Sequence, residues 1–325
     1  MSKFKTALTV LSCLATLLVV SCSKENAQEA KKDLIIFHAG SLSLPVKQMK
    51  EAFEKENPGA NIISEADGSV MCARKISDLN KPCDVFMSAD YKVIDDILVP
   101  KYADWCIKFA SNQMAIVYTD KSKYASEIND SNWYKILEKP DVVCGRSNPN
   151  DDPCGYRALL TLKLAAIYYK DPGLYDAIVH NKKSKDVLMR SKEVDLISLL
   201  QVGQLDYISL YRSVAIQHGF KFVELPPEIN LGDSKFEKYY AQVSLDITGN
   251  KPGSVINQKG EPMTYGLTIP KNAPNPELAM KFVKFVLSKN GGLKIMEDNG
   301  QPSVVPSPTS TYKELPQPLK QYASE

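Results

Sequence analysis

The strongest constraint on the fold is a repeated unit of strand, short turn and helix near the start of the chain. Short apolar segments at residues 34–38, 60–64 and 84–89 are predicted to be strands, and amphipathic segments at 42–55 and 70–79 are predicted to be helices. Because a helix between two strands provides a crossover, such units predict a mainly parallel sheet flanked by helices. Ligands of such sheets bind beyond the carboxyl ends of the strands.

A second α/β region follows the first. Its predicted elements are a strand at 114–118, a helix at 156–169, a short apolar segment at 187–189, a helix at 194–202 and a strand at 207–211. A chain with about 300 residues after its N-terminal segment is too long for one simple core and suits two lobes. We therefore expect a second lobe over residues 113–262.

The last part of the chain is predicted to return to the first lobe. A strand is expected at 263–270 and an amphipathic helix at 278–289, which Gly291 and Gly292 are expected to end. The first lobe would then comprise residues 33–112 and 263–325, so that both ends of the chain contribute to it.

Three of the predicted helices begin at turns that carry a short polar side chain. Ser41 and Ser69 lie at two of these helix starts, and Asp152, followed by Pro153, lies at the third. The free N–H groups at a helix start attract anions. Each residue alone is better explained as the ordinary cap of a helix, but three such starts in one chain favour an anion-binding protein.

The N-terminus has the pattern of an export signal. Lys3 and Lys5 precede an apolar run over 7–20, which is too short to span a bilayer comfortably, and Cys22 follows a small residue. This pattern is similar to a bacterial lipoprotein signal. We expect residues 1–21 to be removed, Cys22 to carry lipid, and 22–32 to tether an extracytoplasmic protein to the membrane. The alternative is an ordinary signal peptide that contains a cysteine.

Charge and cysteine spacing exclude several classes of function. The net charge of +2 is near balance and no basic block is present, so nucleic acid is not an expected partner. The cysteines after Cys22 form no C-x-x-C pair, and the histidines are not grouped, which argues against a zinc site. Cys72 and Cys83 could pair as a disulfide in an oxidising compartment.

The sequence also lacks the usual signatures of an enzyme. It contains no G-x-S-x-G nucleophile elbow, no Walker loop and no G-x-G-x-x-G stretch, and its histidines have no obvious serine or cysteine partner. We therefore expect a binding protein without catalytic activity and without a cofactor.

Eight motifs, in order along the chain, resemble a known family. They are HAGSL (38–42), DGSV (67–70), SADY (88–91), YADW (102–105), NWY (132–134), DPCGYR (152–157), YRSVAIQH (211–218) and YGLTIP (265–270). Together they resemble the tungstate/molybdate-binding proteins of ABC importers, in the branch first recognised in archaea. The resemblance runs from about residue 34 to the C-terminal region.

The resemblance implies a two-lobed periplasmic-binding-protein fold of type II, with each lobe a mainly parallel sheet flanked by helices and the ligand in the cleft. It implies that the ligand is tungstate or molybdate and that the partner is an ABC permease, with the binding protein acting as a monomer. Hydroxyl groups of Ser41, Ser69 and Tyr211, and the backbone N–H near Cys154, would donate to the anion.

Two carboxylates are also implied at the metal atom of the bound anion, and they match Asp152 and Glu193. A carboxylate repels sulfate or phosphate, whereas tungsten(VI) and molybdenum(VI) are hard centres that add oxygen ligands. At Glu193 the sequence lacks the proline that the family more often has before the preceding lysine. The alternative for Glu193 is a solvated glutamate at a helix start, favoured by the helix dipole. Arg157 is expected to pair with a carboxylate such as Asp90 or Asp151.

Two alternative functions stay open from the sequence. The first is the same fold binding another oxyanion, such as sulfate, or a metal ion. The second is an enzyme or a sensor domain that uses the two lobes differently. The sequence does not rank tungstate against molybdate, because both have the same charge and shape and nearly the same size.

Overall fold

A computed structural model of the protein describes residues 32–180, 189–249 and 253–325. The predicted signal segment, Cys22 and the tether up to residue 31 lie outside the described residues, and so do Val187 and Leu188 of the predicted apolar segment. The described residues form one compact unit. Within the described ranges, no helix has both the length and the apolar character needed to cross a membrane.

The strands are short and spread along the whole described chain. They are β1 Lys32–Ala39, β2 Ala60–Asp67, β3 Val85–Ser88, β4 Ile107–Ser111, β5 Met114–Tyr118, β6 Cys144–Ser147, β7 Met189–Arg190, β8 Tyr207–Tyr211, β9 Lys221–Glu224, β10 Ser244–Thr248, β11 Val255–Lys259, β12 Thr264–Thr268, β13 Ser307–Pro308 and β14 Ala323–Ser324. The strands predicted near residues 34, 60, 85, 114, 207 and 264 are all present.

The helices alternate with these strands. They are α1 Ser43–Glu56, α2 Ser69–Ser77, α3 Tyr91–Val93, α4 Trp133–Leu137, α5 Pro153–Tyr168, α6 Leu174–Val179, α7 Asp195–Gln201, α8 Arg212–Gln217, α9 Glu237–Tyr240, α10 Pro276–Val286 and α11 Gly292–Asp298. A single 3₁₀ turn, Gly40–Leu42, precedes α1, and a π-helical turn, Ile94–Leu98, follows α3. Ser41 therefore lies in the 3₁₀ turn, whereas Ser69 is the first residue of α2.

The first sheet combines strands from the two ends of the chain. Its order is β2-β1-β3-β12-β4, with β1 parallel to both β2 and β3. Strand β12 inserts antiparallel between β3 and β4. The predicted return of a late strand to the first sheet is thus confirmed.

The second sheet repeats this arrangement. Its order is β7-β6-β8-β5-β9, with β6 parallel to β7 and β8, and with β5 antiparallel between β8 and β9. In each sheet one antiparallel strand is inserted beside strands that share a direction. The predicted α/β fold class, with two sheets flanked by helices, is confirmed, but each sheet is mixed, because the inserted strand makes two of its four pairings antiparallel.

The prediction for the glycine pair near residue 291 is wrong. Helix α10 ends at Val286, and Gly292 begins α11 instead of closing the preceding helix. A side chain on Gly292 would place its Cβ 2.4 Å from the Cα of Val286, and one on Gly291 would lie 2.7 Å from the carbonyl oxygen of Phe285. The pair is glycine because the two helices meet too closely there for any Cβ.

Aromatic packing joins the two ends of the chain. Phe53 of α1 contacts Phe282 and Phe285 of α10 edge-on, with ring centroids 5.2 and 5.6 Å apart. Burial of one such ring contributes about 1.5–3 kcal/mol to stability. This contact fixes the late helix α10, and with it strand β12, onto the first sheet.

The described cysteines are all free thiols. Cys72 and Cys83 are buried in one apolar cluster beside the first sheet, yet they form no disulfide with each other. Burial raises the pKa of the Cys72 thiol to about 12. The disulfide that the sequence permitted is therefore absent from the described residues.

Candidate functional site

Two acidic side chains meet at the start of α5. Asp152 caps this helix, and its Oδ1 accepts a hydrogen bond of 3.0 Å from the backbone N–H of Cys154. Its Oδ2 accepts a second bond of 2.9 Å from the backbone N–H of Glu193. The loop before α7 is thereby held against the start of α5. Two residues 41 positions apart in the sequence become direct neighbours.

The Glu193 side chain has no such support. Glu193 is 1% exposed, and neither of its carboxylate oxygens has a hydrogen-bond donor of ordinary geometry within the three described ranges. The side chain that it meets is the acidic group of Asp152, and the two can share a hydrogen bond only when one of them is protonated. The carboxylate lies against the backbone of Gly40, where an added Cβ would come within 2.8 Å of Oε2. Burying an unpaired carboxylate is costly, because water no longer solvates its charge. The alternative prediction of a solvated glutamate at a helix start is therefore wrong.

Burial raises the pKa of both carboxyl groups. For Asp152, burial outweighs the interactions with the side chain of Glu193 and with the backbone N–H groups of Cys154 and Glu193, all of which favour the ionised form. For Glu193, burial and the negative charge of Asp152 act together, and its pKa rises well above the ordinary value. A positive centre between the two groups would relieve both effects.

The hydroxyl of Ser41, the residue after Gly40, lies in a network of buried polar groups. It accepts a hydrogen bond of 3.0 Å from the hydroxyl of Tyr265. The Tyr265 oxygen in turn accepts bonds from the side-chain amides of Asn112, at 2.8 Å, and Gln301, at 3.2 Å. The network ties β12, the segment between β4 and β5, and the C-terminal region to one serine.

The Ser69 hydroxyl is held from the end of β3. It accepts a bond of 2.9 Å from the backbone N–H of Ala89. The next two N–H groups of α2, those of Val70 and Met71, donate to the carbonyl oxygen of Asp151 at 3.2 and 3.3 Å. The start of α2 therefore binds the loop before α5, and Gly68 is glycine because this loop leaves no room for a Cβ.

The Tyr211 hydroxyl is held by a buried cation. It accepts a bond of 3.1 Å from Nη1 of Arg157, which also donates to the carbonyl oxygen of Ala89 at 2.7 Å. Nη2 of Arg157 lies 3.0 Å from Oδ2 of Asp90. Of the two predicted partners of Arg157, Asp90 therefore forms the ion pair, and Asp151 does not.

These contacts define what the site can do chemically. Three hydroxyls, those of Ser41, Ser69 and Tyr211, each accept a hydrogen bond from the protein. The proton of each hydroxyl therefore remains available to donate to a ligand. Donors of this kind suit an oxyanion. The carboxylates of Asp152 and Glu193 suit a centre that accepts oxygen ligands.

Comparison with known proteins identifies the family. A family model described as bacterial extracellular solute-binding protein matches residues 34–300. This chain belongs to that family. Among its relatives, an uncharacterised solute-binding protein of Petrotoga mobilis is 49% identical over 91% of each chain.

Another relative carries a specific name. The molybdate/tungstate-binding protein WtpA of Pyrococcus abyssi is 40% identical, over 92% of this chain and 93% of its own. The periplasmic molybdate-binding protein of Azotobacter vinelandii has the same fold, with a TM-score of 0.61 at 17% identity over 82% of this chain and 98% of that one. The predicted resemblance to tungstate/molybdate-binding proteins is confirmed.

In this solute-binding protein, the structure brings the six predicted site residues into one region. Asp152, Cys154 and Glu193 are in direct contact, and Ser41 adjoins the glycine that Glu193 touches. Ser69 and Tyr211 are linked to each other through Ala89 and Arg157. The Cys154 N–H donates to Asp152. The predicted roles of the six residues toward a ligand stay predictions.

Four further polar residues support the site of this solute-binding protein and were not predicted as site residues. They are Asn112, Tyr265, Gln301 and Arg157, all buried. Tyr265 begins one of the motifs that carry the family resemblance, and Arg157 ends another. Both residues could therefore have been predicted as site residues from these motifs. Asn112 and Gln301 are single amides at loop positions, and nothing in their local sequence marks them.

Proposed function

We propose that this solute-binding protein captures tungstate or molybdate outside the cytoplasm and delivers it to an ABC permease. The observation that carries the proposal is the buried pair of Asp152 and Glu193, two acidic groups in contact, with no basic side chain bonded to either among the described residues. The name of the Pyrococcus abyssi relative supports the same ligands. The family description and the missing nucleophile–base pair favour a protein that catalyses nothing and needs no cofactor.

The carboxylates explain why the ligand would be a metal oxyanion. Hydroxyl donors such as Ser41, Ser69 and Tyr211 suit any tetrahedral oxyanion, sulfate and phosphate included. Two buried carboxylates repel these anions, because negative charge meets negative charge without water to screen it. Tungsten and molybdenum in tungstate and molybdate can accept the carboxylate oxygens of Asp152 and Glu193 as extra ligands. The same two residues would thus attract the rare anion and exclude the common ones.

Capture would be coupled to closure of two lobes. We assign residues 33–112 and 263–325 to one lobe and 113–262 to the other. Contacts between these parts include the α2 N–H groups on Asp151 and the ion pair of Arg157 with Asp90. An anion that binds groups from both lobes favours the closed state, and a permease distinguishes the closed state from the open one.

The N-terminus would place the protein at a membrane surface. We propose that residues 1–21 are a lipoprotein signal, that Cys22 carries lipid, and that 22–32 form a tether. A monomer bound in this way stays close to its permease. Mass spectrometry of the protein from cell membranes would give the mass of a lipid-modified N-terminal cysteine, whereas an unmodified N-terminus would overturn this part of the proposal.

Calorimetric titration of residues 31–325 with tungstate, molybdate and sulfate tests the ligand. We expect tight binding of tungstate or molybdate and no heat with sulfate. Binding of sulfate alone, or of neither metal oxyanion, would overturn the proposal and favour the alternative of another oxyanion or a metal ion.

The role of Asp152 is tested in the same titration. We expect Asp152→Ala to weaken tungstate binding by roughly tenfold or more, because a group on the metal is lost, and to admit sulfate. Exposed Asp104→Asn is the control variant, since Asp104 lies on the surface and pairs with Lys271. Unchanged tungstate affinity in Asp152→Ala would remove Asp152 from the site.

A further inference from the structure

The hydrogen bonds behind Ser41 have a fixed direction. The side-chain oxygen of Asn112 accepts from the backbone N–H of Gln113 at 2.9 Å, so its nitrogen must face Tyr265. The side-chain nitrogen of Gln301 donates to the carbonyl oxygen of Ser41 at 3.1 Å, and a carbonyl can only accept. Backbone groups therefore settle the orientation of both amides.

The two amides determine where the Tyr265 proton goes. Each amide nitrogen donates to the Tyr265 oxygen, and these two bonds use both of its lone pairs. The phenol proton is then donated to Oγ of Ser41, at 3.0 Å. Because the Ser41 oxygen accepts this bond, its own proton is directed away from Tyr265.

We propose that Gln301 and Asn112, acting through Tyr265, are positioning residues that hold the Ser41 hydroxyl as a hydrogen-bond donor to the oxyanion. This inference rests on the proposed function, because it assigns the direction of one bond in that site. A serine hydroxyl alone can rotate and present either a proton or a lone pair. Fixing its proton in advance avoids that reorientation when the anion arrives, which favours binding.

The other two hydroxyls of the site follow the same rule. Ser69 accepts from the backbone N–H of Ala89, and Tyr211 accepts from the guanidinium of Arg157. A backbone N–H and a guanidinium can only donate. In all three cases a protein donor occupies the hydroxyl oxygen, so that the hydroxyl proton is available for the anion. Only the chain of hydrogen bonds from Gln301 through Tyr265 to Ser41, here called the Gln301 relay, can be reversed by a single isosteric substitution.

Gln301→Glu is the substitution that reverses the relay. Gln301 is fully buried, and its side-chain oxygen has no hydrogen-bond partner within the described ranges. An ionised carboxylate in its place accepts the Tyr265 proton, so that Ser41 donates to Tyr265 and turns a lone pair toward the anion. A protonated carboxyl group can again donate to Tyr265 and restore the original direction.

The experiment is calorimetric titration of unsubstituted and Gln301→Glu protein with tungstate, molybdate, sulfate and phosphate at about pH 8 and about pH 5. We expect the variant to bind the preferred anion roughly tenfold more weakly than unsubstituted protein at the higher pH. Because burial at this position raises the pKa of the introduced carboxyl group above the ordinary value of about 4.3, the ratio of the two affinities should move toward one at the lower pH. Gln217→Glu is the matched control, because Gln217 also donates its amide to a backbone carbonyl, that of Asn299, and has no bond to Tyr265.

A second variant keeps the test decisive if Gln301→Glu folds poorly, as thermal unfolding would show. Tyr265→Phe keeps the ring and removes the hydroxyl, and we expect it to lose affinity by a similar factor at both pH values. Unchanged affinity in Tyr265→Phe would overturn the proposal, and so would a loss in Gln301→Glu that does not depend on pH.

The anion panel separates this proposal from the proposed function. If unsubstituted protein binds sulfate or phosphate instead, the proposed function fails, and the same variants are compared with that anion. If it binds none of the four, both fail.

Discussion

Two buried acidic residues in this protein have opposite surroundings. Asp90 is 1% exposed, and its carboxylate accepts from Arg157 at 3.0 Å, from the Tyr156 hydroxyl at 2.6 Å and from the backbone N–H of Lys92 at 3.0 Å. Glu193 is equally buried, yet no donor of ordinary geometry among the described residues reaches its oxygens, and the side chain that it meets is the acidic Asp152. The protein satisfies the charge of Asp90, whereas at Glu193 burial and the neighbouring Asp152 favour the protonated carboxyl group.

This difference separates a structural charge from one kept for a ligand. A buried ion pair with full hydrogen bonding is strongly destabilised when one partner is removed. A buried carboxylate without a partner weakens the fold, and a protein retains such a group where a bound ligand supplies the missing interaction. We therefore expect substitutions at Asp90 to reduce stability and substitutions at Glu193 to reduce binding.

The largest effect is expected for Asp90→Asn. Removing this charge leaves the Arg157 guanidinium buried without its ion-pair partner, so that the free energy of unfolding should fall by about 3–5 kcal/mol. Urea unfolding measures this loss, with exposed Asp104→Asn as a control that should change stability by less than about 0.5 kcal/mol. A loss in Asp90→Asn as small as that of the control would contradict the assignment of Asp90 as structural.

Glu193→Gln should separate binding from stability. We expect roughly 100-fold weaker tungstate binding, since a ligand to the metal is lost, together with equal or higher stability of the ligand-free protein. Titration calorimetry and urea unfolding of one preparation give both values, and exposed Glu277→Gln is the matched control. If Glu193→Gln instead unfolds as easily as Asp90→Asn, the two carboxylates do not differ in the way described.

The stability of the ligand-free protein should also depend on pH through Glu193. Its pKa is raised by burial and by Asp152, so the folded state retains a proton that the unfolded chain has already lost. The free energy of unfolding should therefore decrease as pH rises above the ordinary value of 4.5, until the folded-state pKa is reached. Urea midpoints across this range should fall more steeply for unsubstituted protein than for Glu193→Gln, and parallel curves would argue against a raised pKa.

The smallest effect is expected for Gly40→Ala. The new Cβ would lie 2.8 Å from Oε2 of Glu193, and the carboxylate at the end of that flexible side chain would have to move. We expect little change in stability but roughly tenfold weaker tungstate binding. Gly59→Ala is the control, because a Cβ there meets nothing within 4 Å. Equal affinity in the two variants would show that the position of the Glu193 carboxylate does not matter.

The fold was largely predictable because its signals are local and periodic. The apolar segments that became β1, β5 and β8 have strand-like patterns, and Asp152 with Pro153 marks the start of α5 within a few residues. The glycine pair at 291 was misjudged because a helix end and a close helix contact both require glycine, and only the packing distinguishes them.

The site was less predictable because its partners are distant in the sequence. Glu193 was found only through the family resemblance, since its own neighbourhood has the pattern of an exposed helix start. In the structure it lies before α7, which begins at Asp195, and it is buried by Gly40 from another part of the chain. Asn112 and Gln301 contribute to the site only through their hydrogen bonds to Tyr265. No local sequence pattern predicts contacts between residues so far apart in the chain.

The buried thiol of Cys154 has a consequence for the timing of ligand exchange. Its sulfur lies 3.7 Å from the carbonyl oxygen of Ser209, beside Asp152, and burial raises its pKa well above the ordinary value. An alkylating reagent reacts with an accessible thiolate, so this sulfur reacts only during the intervals in which the surrounding contacts open. The alkylation rate of Cys154 then measures how often these contacts open. A bound anion that makes such openings rarer should slow the alkylation of Cys154 to the same extent.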